Sequence, residues 1–136
     1  MKLKNMFLAT LLIIGCGLTT LPNDNYYDKI YVSNVVIKDE SGEITDTIKI
    51  NHNFTVEIYG AFPDPCWEFH KIEVEELKNE FRITPIAKRE KSKICPQVIT
   101  PCTTQVKLLC KSTSDTLKVS VIGKTEKISK TINVIR

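Results

Sequence analysis

The chain has 136 residues, 42% of them hydrophobic, with 19 basic and 16 acidic side chains and a net charge of +3. That is enough for one core of ordinary size and too balanced for a nucleic-acid binder, which needs a clustered basic face. Two histidines and no close cysteine pair also argue against a zinc centre or thioredoxin-type redox chemistry.

The N-terminus opens with Lys2 and Lys4, continues through the apolar run Met6 to Ile14, and reaches Ile13-Ile14-Gly15-Cys16. A charged head, a short apolar stretch and a small residue before the cut describe an export signal. A transmembrane helix would need roughly 20 apolar residues, and here the run fades at Thr19-Thr20 before Pro22-Asn23-Asp24-Asn25. The four residues ending in Cys16 resemble the lipobox of bacterial lipoproteins. The resemblance implies a signal over residues 1–15, lipidation of Cys16, and a membrane-anchored, exported domain in the bacterial cell envelope. Two or three acyl chains hold durably where one does not. Residues 16–28 then read as a lipidated tether, and residues 29–136 as the folded domain. Without Lys2 and Lys4 the mature chain carries 17 basic against 16 acidic residues, so the positive net charge belongs mainly to the leader.

From Ile30 the composition turns β-branched. Ile30 to Ile37 predicts a strand closed by Lys38-Asp39-Glu40-Ser41-Gly42, and Ile44, Ile48 and Ile50 mark a weaker one. Phe54-Thr55-Val56-Glu57-Ile58-Tyr59 alternates cleanly, the sign of a strand with one buried and one wet face. It runs into Gly60-Ala61-Phe62-Pro63-Asp64-Pro65, where two prolines remove ladder donors. Ile72 and Val74 alternate with Lys71, Glu73 and Glu75 in the next strand. Leu77-Lys78-Asn79-Glu80 reads as a hairpin connection. Phe81, Ile83 and Ala87 share a face of the strand after it, in which Pro85 suggests an edge or a bulge. The charged run Lys88-Arg89-Glu90-Lys91-Ser92-Lys93 reads as a solvated loop. It leads to the proline-punctuated segment Ile94 to Cys102. Three further strands follow, carried by Val106/Leu108/Cys110, by Leu117/Val119/Val121 and by Ile128/Ile132/Val134. Seven to eight short strands with turns between them, and no helix after the signal, predict an all-β, immunoglobulin-like antiparallel β-sandwich.

The most distinctive part of the mature chain is Phe62-Pro63-Asp64-Pro65-Cys66-Trp67, followed some thirty residues on by Ile94-Cys95-Pro96-Gln97-Val98-Ile99-Thr100-Pro101. Together these resemble a pattern in small exported bacterial proteins and lipoproteins of uncharacterised function, whose domains are taken to be Ig-like sandwiches. That resemblance implies a bridge between Cys66 and Cys95. In the pattern these are usually the only cysteines, so Cys102 and Cys110 depart from it. Four cysteines in an exported chain allow three connectivities. Loops beside strand ends can bring Cys66 and Cys95 to bonding separation. Cys102 and Cys110, eight residues apart on one strand, would stand roughly 26 Å apart. Cys110, in line with Val106 and Leu108, reads as a core thiol, while Cys102 competes with Cys95 for Cys66 or faces solvent.

No catalytic motif or cofactor site is apparent, and Glu73 and Glu75 fall on a wet face. The expected function is therefore a non-catalytic binding or accessory module. It presents the loops 60–68 and 88–102 to an envelope protein or glycan, with Phe62, Asp64, Trp67 and Gln97 as candidate binding residues. The alternative is a protease inhibitor that uses the same disulfide-held, proline-rich loops as a wedge.

Overall fold

A computed structural model describes residues 24–136. The signal, the lipidation site Cys16 and tether residues 16–23 lie outside the described residues. Nine strands follow in order: β1 (Asn25–Lys29), β2 (Tyr31–Lys38), β3 (Thr47–Lys49), β4 (Asn53–Phe62), β5 (Trp67–Leu77), β6 (Glu80–Glu90), β7 (Thr100–Leu109), β8 (Thr116–Ile122) and β9 (Lys127–Ile135). They form two packed sheets, a β-sandwich without helices among the described residues.

The smaller sheet is β2-β4-β7, antiparallel throughout, with β4 in the middle. The alternation read for residues 54–59 is realised here, with Phe54, Val56 and Ile58 buried between the sheets. The larger sheet is built around β6. Strand β5 pairs along one edge of β6, while β8 pairs with its first half, Glu80 to Ile83, and β1 with its second, Ile86 to Glu90. Strands β9 and β3 extend the sheet beyond β8. The core is one cluster, to which β6 gives Phe81, Ile83 and Ala87, β8 gives Leu117, Val119 and Val121, and β9 gives Ile132 and Val134. Each large side chain fully withdrawn from water there contributes roughly 1.5–3 kcal/mol.

Nine strands stand where seven to eight were expected, Lys88 to Glu90 belong to β6 rather than to a solvated loop, and three further expectations change. The sandwich is not antiparallel throughout, because β6 and β8, and β3 and β9, pair in parallel. Asn25 to Asp28, expected to close the tether, belong instead to a strand, Asn25–Lys29. Pro85 lies in a strand with partners on both sides, and it is fully buried. It is tolerated because one edge of β6 changes partner there: β8 ends opposite Ile83 and β1 begins opposite Ile86. A missing N–H is harmless where the ladder is already interrupted.

Close approach explains one glycine. Gly60 faces β2, and a Cβ there would stand 2.3 Å from the Tyr31 carbonyl oxygen. The expected hairpin between β5 and β6 is present, with Asn79 at φ 60°, the left-handed conformation that Asn tolerates.

Candidate functional site

The strand directions give the sandwich two ends. One gathers the β5–β6 turn, the β7–β8 loop and the start of β4. The other gathers the β4–β5 turn, the β6–β7 loop and the start of β1. At this second end Cys66 and Cys95 are joined by a disulfide, with Cα atoms 6.0 Å apart. The bridge ties loop 91–99 to the foot of β5.

Local chemistry shapes the turn that carries Cys66. β4 ends at Phe62, and Pro63 and Pro65 flank Asp64. The Asp64 carboxylate accepts a hydrogen bond from the Cys66 amide at 2.9 Å, an Asx turn that orients the cysteine. The same carboxylate receives the Arg89 guanidinium, with Nε 3.3 Å from Oδ2, and both side chains are largely shielded from water. Arg89 belongs to β6, between Tyr26 of β1 and Trp67 of β5, so this ion pair locks the turn to the central strand.

Two candidate residues are therefore turned inward. Phe62 is buried and meets the Phe69 ring edge-on at a centroid distance of 5.3 Å. Asp64 is occupied by Arg89 and the Cys66 amide. Trp67 is partly buried and packs against the core. Gln97 is exposed on the loop. Phe62, Asp64 and Trp67 support the loop, and what its residues 94–99 display most openly beside Gln97 is apolar. Ile94 is 98% exposed, Ile99 75% and Val98 57%. Sequence alone does not single out these three, because an isolated Ile or Val in a proline-rich stretch carries no periodicity.

Elsewhere, groups with chemical potential are committed to structure. Glu57 pairs with Lys38 at 3.0 Å and accepts a hydrogen bond from the Tyr59 hydroxyl. The Tyr59 bond, then Lys38, lowers the Glu57 pKa, and Glu57 in turn raises that of Tyr59. Glu80 accepts from buried Ser120 at 3.0 Å, a bond that lowers its pKa. His52 lies 3.2 Å from Glu40, and the His70 ring meets that of Tyr27 at a tilt, with centroids 4.9 Å apart, in another part of the fold. Cys110 is buried as expected. Cys102 is unbridged and packs on the core, and burial pushes its thiol up to about 11, far from the thiolate a nucleophile needs. Asp64, Cys66 and Cys95 bring their ligand atoms within 4.8 Å of one another. The sulfurs are bonded together and the carboxylate is held by a cation, so this trio is a structural joint rather than a metal centre.

Two packed sheets over one core, with a disulfide pinning loop 91–99 at one end, define the class: a β-sandwich domain. The chain belongs to the family described as the ORF11 beta-sandwich domain, whose model matches residues 56–134, more than half of its length. The match starts inside β4, so β1, β2 and β3 lie before it. No curated protein and no solved structure matches the chain.

Proposed function

We propose that this protein is a lipid-anchored, non-catalytic binding or accessory module of the bacterial cell envelope, acting through the bridged end of its sandwich. The observation that carries the reading is the disulfide-held loop 91–99, which displays Ile94, Val98 and Ile99 on a rigid scaffold. Apolar side chains held in water by a fixed loop are the usual raw material of a binding hot spot. The bridge agrees with an exported location, where disulfides persist. The Gly15-Cys16 pair supports the tether. A non-catalytic role is supported by the structural employment of Glu57, Glu80, Asp64 and the cysteines.

The test is intact mass with peptide mapping on the native protein, before and after reduction and alkylation. The expected result is a mature chain that starts at acylated Cys16, with a linked Cys66/Cys95 peptide and two alkylatable thiols after denaturation. An unmodified full-length chain, or four free thiols in the domain, overturns the reading.

One observation supports a second reading, protease inhibition: residues 94–99 lie outside any strand and are fastened at Cys95, the geometry of a wedge that resists cleavage. It predicts tight, saturable inhibition of an exported protease. A panel showing none removes it.

A further inference from the structure

We propose that the bridged end is a bilayer-contacting tip. Loop 91–99 seats its apolar side chains in the interface of an anionic membrane, while its lysines meet lipid phosphates. The inference rests on the lipid-anchored reading above and adds what the exposed loop touches.

The first argument is where the chain enters the fold. The Asp24 carbonyl accepts a hydrogen bond from the Lys91 amide at 2.7 Å, and Asn25 pairs with Glu90. The N-terminal segment thus joins the domain at the base of loop 91–99. Cys16 lies eight residues before Asp24. Eight residues reach at most about 28 Å when fully extended, less than the roughly 33 Å that the ten residues of β4 span between the two ends. A lipid on Cys16 therefore holds this end, and not the opposite one, against the headgroups.

The second argument is chemical. Residues 91–99 carry Lys91 and Lys93 and no acid, around Ile94, Val98 and Ile99. Tyr26 is half exposed beside them, with the Lys91 ammonium 5.2 Å from its ring centroid. Aliphatic tips, an amphipathic aromatic and flexible cations are the set that partitions into a membrane interface. Each lysine near an anionic surface adds attraction that falls away within a Debye length. Acids at this end are largely neutralised, Asp28 by Lys124, Asp64 by Arg89 and Glu68 by Lys88. Asp24, Glu90 and Glu126 stand at the loop's base and in the β8–β9 turn, not between the lysines and the apolar tip.

The third argument is rigidity. The disulfide and the Asp64–Arg89 pair fix the loop before it meets lipid, so little ordering cost opposes insertion.

The experiment uses the mature chain from Gly17 without its lipid, which retains every core residue from Ile30 to Val134. It is co-sedimented with phosphatidylcholine vesicles with and without phosphatidylglycerol. The expected result is binding to the anionic vesicles that weakens as salt is raised. It falls about tenfold or more in the triple variant Ile94→Ser/Val98→Ser/Ile99→Ser, and in Lys91→Glu/Lys93→Glu. Unchanged thermal melting and an intact Cys66–Cys95 bridge establish that both variants fold. The proposal is overturned if the parent ignores both vesicle types, or if the serine variant binds as the parent does. It is also overturned if the serine variant instead abolishes a self-associating dimer seen by sedimentation. Mass analysis of Cys16 separates the two readings: vesicle binding with an unmodified Cys16 defeats the anchor alone, and a lipidated Cys16 without vesicle binding by the domain defeats the tip alone.

Discussion

The two ends of the sandwich solve the same problem by different means. At the turn end, connections are fastened by polar side chains aimed at backbone. Asn79 Oδ1 accepts from Ser112 Oγ at 2.8 Å and from the Thr113 amide at 3.3 Å, while Ser112 Oγ also reaches the Thr116 carbonyl. Asp39 Oδ1 accepts from the Ser41 amide and hydroxyl and from the Glu43 amide. At the bridged end, the β6–β7 loop has little of this. Its amides use Asp24, Glu90 and Pro96 carbonyls, and a covalent bond holds its middle. Dense local hydrogen bonding commits these polar groups to holding the turns. A single staple lets a loop keep apolar side chains in water without collapsing.

That contrast can be broken in order of expected size. Phe54 and Phe62 sit toward opposite ends of β4, against Phe81 and Phe69 respectively. Phe54→Ala should cost about 3–5 kcal/mol in urea unfolding. Phe62→Ala should cost the same while the bridge is intact, so packing does not distinguish the ends. Replacing both Cys66 and Cys95 with Ala releases a loop of 29 residues, and the chain-entropy model puts the loss at about 3–4 kcal/mol. Limited proteolysis should then cut within 91–99 and spare 111–115.

Next comes the polar pair of anchors. Asp64→Asn removes the charge facing Arg89 and should cost about 1–3 kcal/mol, with faster reduction of the neighbouring bridge. Asn79→Ala, which loses the Ser112 and Thr113 bonds at a positive φ, should cost about 1–2 kcal/mol and leave bridge reduction unchanged. Equal effects on reduction would sink the idea that the ends are fastened independently.

The smallest effect is a pH dependence at the bridged end. Lys124 sits 2.6 Å from Asp28, and this hydrogen bond holds Asp28 below its ordinary 3.8. The stabilisation is complete above the ordinary carboxylate value and is lost as pH falls through the lowered one. The same bond raises Lys124 above 10.5, so its share is present below that value and is lost as pH rises beyond it. Both groups are well exposed, which limits the effect to less than about 1 kcal/mol. Asp28→Asn should flatten the acid limb of the thermal-melting profile by that amount.

Strands with one buried face were legible from alternation: Phe54/Val56/Ile58, Phe81/Ile83 and Leu117/Val119/Val121 all face the core as their spacing implies. β1, which the sequence does not announce, lacks that signal. Asn25-Tyr26-Tyr27-Asp28-Lys29 buries no complete side-chain face and exists because β6 has a free edge beyond Pro85. β3, the weaker strand marked by Ile44, Ile48 and Ile50, is present but only three residues long. Parallel pairings join segments far apart in the chain, and no local pattern encodes them. At the site, the Cys66–Cys95 bridge follows from the resemblance of the two cysteine-proline motifs, while loop chemistry alone leaves Cys102 as a competitor for Cys66. Which loop residues point out was not legible, because the burial of Phe62 and the capture of Asp64 by Arg89 are tertiary facts.

The placement of β1 also has a mechanical side. Its first residue lies at the bridged end, and its five pairs run from there toward the middle of β6. A pull on the preceding chain, directed out of that end and along the strand axis, meets the hydrogen bonds side-on. Bonds loaded this way share the force and must give together, whereas a pull across the sheet would open them one at a time. Force between that segment and the far end of the sandwich is therefore shared, whereas force between it and loop 91–99, which leaves β6 beside Asn25, would open the pairs one at a time.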